Sequence, residues 1–524
     1  MSANLQGKFM SSAASSARRF TAHAEDVGTL RPGPSLTRAA VCGWLGFAFL
    51  LFLLQALPYL SYRWVTDESW YAAPAYSLLQ GHGIANPAIG PNDLENHFDT
   101  RSSGSAVTIA SAFRLFGIGA IPARLGSLFA GLAIVFLVYR LARNFIGQQG
   151  ALIATFLVAT DNIVVLTSRT ARPEVLTAAA VLASLVMMQQ YAWEARIAWA
   201  FLSGLFMAMG TMFHVMLLGY IVSVGILVIV LDRQSDRFPL RGAIPYAFGY
   251  FLGLVPFVFW VLTNSAGRAS FREEYLGRAT NSPLWPRFLG EVHRYYDLLG
   301  LDMLHGHGLE SIPIRLPIPL FFLASSFLLW KLRRHWFYLE VLLLVPTMLW
   351  FLYLTTTKSS RYFVLITPIF ALTLGAAVVA MIAHRKLQRF MLVLFCLVVV
   401  AQMSANLFLL YGARKANYNK VTLELRSVIP PGQTAYGTIT FWLALHDRPF
   451  ISYERTDPWM AVNQFHARYF ITGDRAMTSG LLGDEAFMID LNRHLAEVIA
   501  QSKLVGHFPD PYYGDLKVYE LPAP

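Results

Sequence analysis

The chain has 524 residues, of which 55% are hydrophobic and only 14% charged, with a formal net charge of +11. That apolar share exceeds what a soluble domain carries and requires a bilayer. The basic residues recur in short clusters between apolar runs, not in one patch interleaved with aromatics, so they mark topology and exclude nucleic acid as a partner.

Residues 1–38 are rich in Ser, Ala and Arg without apolar periodicity, and read as a disordered cytoplasmic tail. The apolar run 39–60 is too long for a signal-peptide core and predicts an uncleaved first membrane helix. A polar and aromatic first loop, 61–118, is long enough to carry short interfacial helices. Further spans are predicted at 122–139, 151–166 and 175–191, and two more share 197–231, broken at the 211–214 turn beside His214. The seventh covers 243–263, a large polar loop follows at 264–316, and four more spans lie near 317–330, 336–354, 363–383 and 391–411. Basic residues such as Lys331, Arg333, Arg334, Arg385, Lys386 and Arg389 put one set of loops in the cytoplasm, so the C-terminal part lies outside. Residues 39–411 are thus a transmembrane domain. Residues 412–524 drop in hydrophobicity and read as a small extracytoplasmic α/β domain, with strands near 435–441, 450–453, 468–472 and 516–521 and a helix near 485–501. Cys42 and Cys396 both lie in apolar runs, which argues against a disulfide framework or a thiolate metal site. No nucleotide-binding motif and no internal repeat is visible.

Chemistry concentrates where charges break the topological rule. Asp67 and Glu68 sit where the first span emerges, flanked by the interfacial aromatics Trp70, Tyr71 and Tyr76. A carboxylate there can act as a base, or an acidic pair can simply cap a helix. Arg169, Arg172 and Glu174 punctuate two spans so tightly that they lie at or just under the interface, where ionisable groups are paired or functional. Lys358 and Arg361, among hydroxyls and before a predicted helix start, suit a phosphate cradle. In the 264–316 loop, Asp302, His305 and His307 have a weak metal-ligand spacing, and most other charges there read as a solvated face. His82, His97 and Asp99 in the first loop are surface residues that can also reach substrate hydroxyls.

Three motifs in order resemble the C-type (GT-C) glycosyltransferases, and within them the bacterial branch of the dolichyl-phosphate-mannose protein mannosyltransferase family, which includes the lipid A aminoarabinose transferases. They are Asp67-Glu68-Ser69-Trp70-Tyr71-Ala72, Ser168-Arg169-Thr170-Ala171-Arg172-Pro173-Glu174, and Thr357-Lys358-Ser359-Ser360-Arg361-Tyr362 leading to Pro368. The stretch from His97 to Gly104 lacks the Lys-Pro-Pro element of the aminoarabinose transferases, although Arg101 supplies a cation there, and the sugar-binding repeats of eukaryotic protein mannosyltransferases are absent.

The resemblance implies a GT-C fold of about 11–13 transmembrane helices in the cytoplasmic (inner) membrane, with its active site outside. It implies transfer of one sugar from a polyprenyl-phosphate carrier to an acceptor hydroxyl, the acceptor being a lipid, a cell-wall glycan or a protein. Asp67 is then the general base, with Glu68 beside it in the catalytic pair, and the donor phosphate falls to Lys358, Arg361, Arg172 and Arg169. Glu174, Tyr71, His82, His97, Arg101 and Tyr362 are the candidate acceptor and sugar contacts. Carboxylates near a lipid phosphate also invite a divalent cation, Mg or Mn, with Asp67 and Glu174 as ligands. The competing reading is a transporter or flippase of lipid-linked sugars, for which charges deep in several spans are expected; apart from Asp161, the predicted spans carry almost none.

Overall fold

The computed structural model describes residues 36–88, 103–235, 238, 240–263, 268, 271–272, 283–299, 317–332, 334–354, 360–382, 385–454, 456–473 and 485–522. Lys358, His97, Asp99, Arg101, Asp302, His305, His307 and the predicted N-terminal tail up to residue 35 lie outside the described residues.

Helix α1 (Arg38–Ala56) begins at Thr37, whose hydroxyl accepts the Ala40 N–H, and runs into a 3₁₀ turn at Leu57–Ser61. Two short helices follow, α2 (Thr66–Leu79) and α3 (Ser103–Phe116). The spans predicted at 122–139 and 151–166 fall on either side of Gly147 in α4 (Ala120–Thr160), which is two helices joined end to end, the second predicted span running on past its end. The chain kinks at Gly147, whose φ of 74° is a left-handed value that glycine adopts at little cost. Arg140 and Arg143, which follow the second predicted span, are helical and do not break it.

Asp161 then opens the short helix α5 (Asn162–Ser168) by accepting the N–H groups of Ile163 and Val164 at 2.9 and 3.0 Å. Its second oxygen accepts from Gln402 at 3.0 Å, and Asn406 bonds both the Thr160 carbonyl and Gln55. This buried network ties α1, α4 and the distal helix α14 (Arg385–Ala413) together inside an apolar bundle, where interhelical polar contacts supply orientation that apolar packing does not.

Between these lie α6 (Pro173–Glu194), α7 (Ile197–Phe213), α8 (Leu218–Gln234), α9 (Ala243–Thr263), α10 (Leu284–Leu299), α11 (Pro317–Leu332), α12 (Arg334–Leu354) and α13 (Thr367–Ile382). The predicted break at 211–214 falls where α7 ends, at His214. Among the described residues, six helical stretches are long and apolar enough to cross a membrane, and four shorter apolar helices accompany them. The protein is a multi-pass membrane protein. Cys42 and Cys396 lie exposed on the outward sides of α1 and α14.

The C-terminal part is a five-stranded mixed sheet in the order β2-β1-β3-β5-β4, with β1 (Ala435–Gly437) parallel to β2 (Phe450–Ser452) and β3 (Tyr469–Gly473). Strand β5 (Gly514–Glu520) runs antiparallel to both β3 and β4 (Lys503–Asp510). The sequence reading missed β4 because Gly506 and Pro509 look like breakers. It is an edge strand with an irregular register between Leu504 and Gly506, where both residues are tolerated. Helices α15 (Tyr418–Val428), α16 (Pro458–Asn463) and α17 (Glu485–Ala500) complete the domain.

This domain grips the loop between α1 and α2. The Tyr513 hydroxyl accepts the Trp64 N–H at 2.8 Å and donates to the Trp64 carbonyl at 2.7 Å. The Thr66 and Thr440 hydroxyls meet at 2.8 Å, and the Ser452 N–H donates to the Ala88 carbonyl at 2.9 Å. Trp64, Tyr418 and Tyr513 form a buried aromatic cluster at this junction.

Helices α7 and α9 touch backbone to backbone: a Cβ on Gly249 would lie 2.2 Å from the Phe201 carbonyl oxygen, and one on Gly204 would lie 2.0 Å from that of Tyr246. Gly249→Leu is therefore expected to separate the pair, destabilise the bundle by roughly 3 kcal/mol and lower its melting temperature in detergent. A melting temperature equal to that of the unaltered protein would contradict this packing.

Candidate active site

The acidic pair opens α2, and successive residues on a helix point about 100° apart, so Asp67 and Glu68 enter different surroundings. Glu68 turns inward and is fully buried. Its two oxygens receive Nε and Nη2 of Arg124 at 2.7 and 2.6 Å, a two-pronged ion pair. They also accept the N–H groups of Ala171 at 2.7 Å and Val65 at 3.1 Å. The bond to Val65 is the return half of a capping box, with Glu68 at the third helical position. Arg124 in turn donates to the carbonyls of Tyr59 and Leu60 at 3.2 and 2.9 Å and of Arg63 at 2.5 Å. One buried pair thus joins the end of the first span, the start of α2, the first turn of α4 and the turn before α6.

This corrects the expectation for Glu68. A carboxylate with both oxygens engaged by a guanidinium and backbone amides, and closed to solvent, is a structural tie and does not face a substrate. Arg124 escaped the sequence reading, which counted the spans as nearly free of charge. Its one signal is a basic residue two positions after Pro122 in an apolar run.

Asp67 turns outward, with 53% of its side chain exposed. Its Oδ2 receives Arg172, and also Nη1 of Arg361 at 3.0 Å. Arg172 reaches it from the N-cap of α6, where Pro173 sets the first helical position, and donates through Nε to both oxygens of Glu174 at 3.1 Å. Arg361 comes from a 3₁₀ turn at Ser360–Leu365. Its side chain is 27% exposed, against 6% for Arg172. The protein around its base partly desolvates Asp67 and disfavours its charge although half of the side chain is exposed, but Arg172 and then Arg361 outweigh this and hold the carboxyl below the usual carboxylate range. Burial likewise opposes the charge on Arg172, and Glu174 and Asp67 more than restore it.

Tyr71, one turn along α2, faces the same group. Burial raises its hydroxyl well above the usual tyrosine range; Arg172 opposes this, while Glu174, Asp67 and Tyr362 add to it. The Tyr362 ring lies 5.5 Å from that of His214, which caps α7 and whose Nδ1 accepts the Met216 N–H at 3.2 Å. His214 lies close enough to Glu174 to act on it electrostatically. The sequence reading used His214 only as a helix break, although a lone imidazole inside a 35-residue apolar stretch is a signal in itself.

Of the predicted site residues, Asp67, Arg172, Glu174, Arg361, Tyr71 and Tyr362 therefore gather in one place. Three expectations among them change. Glu174 is buried behind Arg172 and does not contact a sugar directly. Arg172 is taken by two carboxylates, which leaves it little capacity for a phosphate. The metal assignment to Asp67 and Glu174 does not fit either. The Arg172 guanidinium already stands between the two carboxylates as their shared cation, and among the described residues no group of three metal-ligating side chains occurs.

Arg169 is placed elsewhere, fully buried, with its guanidinium 4.0 Å over the Tyr59 ring and no hydrogen-bond partner among the described residues. Burial pulls it down to about 10; Tyr59 opposes this, and its neighbours Arg63 and Arg124 add to it. That removes it from the expected phosphate set. His82 lies exposed in a turn between Gly81 and Gly83, both with positive φ.

Removing Arg124 would leave Glu68 as an unpaired buried charge. Arg124→Met is expected to cost about 3–5 kcal/mol of stability, and the double replacement Arg124→Met with Glu68→Met to recover much of it, read by thermal unfolding in detergent. Equal losses in the single and double variants would contradict the pairing.

Residues 104–262 match the family model of the dolichyl-phosphate-mannose-protein mannosyltransferases. No curated protein matches the sequence. The structure is similar to ArnT from Cupriavidus metallidurans bound to undecaprenyl phosphate, with 13% identity and a TM-score of 0.60 over 92% of this chain and 98% of that one. It is also similar to the Archaeoglobus fulgidus oligosaccharyltransferase in the apo form, with 12% identity and a TM-score of 0.52 over 93% of this chain and 75% of that one. A third similar structure is AglB from Archaeoglobus fulgidus in complex with an inhibitory peptide and a dolichol-phosphate, at 12% identity and a TM-score of 0.51 over 92% of this chain and 74% of that one. The chain thus carries the GT-C fold, a helical membrane body with a small C-terminal sheet domain, and over residues 104–262 it matches the dolichyl-phosphate-mannose-protein mannosyltransferases.

Proposed function

We propose that the protein is a membrane glycosyltransferase that moves a single sugar from a polyprenyl-phosphate carrier to an acceptor hydroxyl on the extracytoplasmic face of the inner membrane. The observation that carries this reading is a half-exposed carboxylate, Asp67, held beside a partly exposed guanidinium, Arg361, at the start of the short helix that follows the first span. Such a pairing gathers in one site a candidate base for the acceptor hydroxyl and a cation suited to the leaving phosphate, the two groups that a displacement at a phosphate-linked anomeric carbon uses. The likeness to structures solved with undecaprenyl phosphate and with dolichol-phosphate supports a lipid-linked donor.

In this mechanism the acceptor oxygen attacks the anomeric carbon in line, Asp67 takes its proton, and the bond to the phosphate oxygen breaks with its electron pair leaving on the lipid phosphate. The configuration at carbon inverts. Arg361, with Lys358 from the same motif, stabilises the charge that develops on the leaving phosphate, so no general acid is needed there. Arg172 fixes the angle of Asp67, and Glu174 fixes Arg172. Tyr71, kept neutral by its burial, and Tyr362 near it line the space where sugar and acceptor meet.

Purified protein given a panel of radiolabelled polyprenyl-phosphate monosaccharides, with membrane extract as acceptor, is expected to transfer one of them. Asp67→Asn is expected to lose transfer by about 10²-fold or more while still binding donor. Consumption of no donor by the unaltered protein, with labelled lipid instead crossing a liposome bilayer, would replace this reading with a flippase.

A further inference from the structure

Both arginines on Asp67 bind the same oxygen, Oδ2, yet they differ in how far they are closed off from solvent. Arg172 is nearly closed off and anchored by Glu174 through bonds from Nε and Nη2. Arg361 is more open, reaches Asp67 through Nη1 at 3.0 Å, and stands on a short 3₁₀ turn. Ion pairs between partly exposed groups are weak, so exchanging the Arg361 partner costs little, whereas exchanging that of Arg172 would strand buried charge.

The two arginines also oppose the task given to Asp67. A general base works best when its proton affinity approaches the working pH, and two guanidiniums on one oxygen keep a carboxylate weakly basic. A phosphate offers Arg361 several charged oxygens in the fork geometry that a guanidinium prefers.

We propose that Arg361 is exchanged from the Asp67 carboxylate to the donor phosphate when the donor binds, so that Asp67 becomes an effective base only with the donor seated. This rests on the glycosyltransferase reading of the site and deepens it: Arg361 is at once phosphate ligand and guard of the base. Binding is then ordered, donor before acceptor activation, and the acceptor hydroxyl is not deprotonated in an empty site. Asp67 faces Arg172 from the turn before α6, Arg361 from the 3₁₀ turn, and Tyr71 from its own helix. Of the two arginines, Arg361 is the more exposed.

The exchange makes Asp67 a competitor of the phosphate, which a double-mutant cycle detects. Undecaprenyl phosphate is titrated into protein in nanodiscs, for the unaltered protein, Asp67→Asn, Arg361→Gln and the double variant. Asp67→Asn is expected to tighten binding about tenfold, and this gain is expected to vanish when Arg361 is already glutamine. An equal gain in both backgrounds would reduce the effect to simple charge repulsion and overturn the exchange, as would no gain at all. If Arg361→Gln leaves the affinity of the unaltered protein unchanged, the phosphate does not bind here, and the donor-site reading falls with the exchange. Arg361→Lys, which keeps a cation without the planar fork, serves the same comparison should the glutamine variant not fold.

Discussion

The buried ion pair between Glu68 and Arg124 is the constraint on which the rest of the site depends. It is formed by the first turn of α2 and the first turn of α4, and its remaining bonds reach the end of the first span and the turn that carries Arg172. Without it, four chain segments that meet at the mouth of the bundle would have no shared reference point. A pair of this kind adds little stability over an apolar alternative, but it fixes one arrangement by making every other leave a charge unpaired. The C-terminal domain reinforces it from outside, because Tyr513 and Thr440 hold Trp64 and Thr66 immediately before the acidic pair.

The consequence is a division of labour between adjacent carboxylates. Glu68 is locked in the interior and sets the position of the helix, which leaves Asp67, one residue earlier and on another face, at the open side. The same pattern repeats across the site: Glu174 is buried and holds Arg172, and Arg172 holds Asp67. Successive ion pairs lead from the closed Glu174 through Arg172 to the half-exposed Asp67, and Arg361, itself partly exposed, joins them at that open end. The proposed chemistry uses only this outer end.

Much of this was legible in the sequence, for reasons that can be named. Spans such as 243–263 were readable because apolar runs of bilayer length are bounded by polar turns, and the observed helix α9 coincides with that range. The three charged motifs stood out because each violates the topological rule, and six of the predicted site residues come together. What could not be read was direction. Sequence places Asp67 and Glu68 side by side, and Arg169 and Arg172 three apart, without saying which of each pair points inward. Arg169 is the clearest case, since its motif position suggested a ligand and the fold buries it over Tyr59. Arg124 and His214 were missed because each is a single polar residue in an apolar run, and it was their three-dimensional neighbours, Glu68 and Glu174, that gave them meaning.

The proposed reaction is a single displacement in which Asp67 removes the acceptor proton while the lipid phosphate leaves. The stereochemistry of the product tests this most directly, and NMR of the anomeric proton in the transferred sugar reads it. Inversion relative to the donor is the predicted result. Retention would require an intermediate on the protein or a second displacement, and would contradict the role assigned to Asp67.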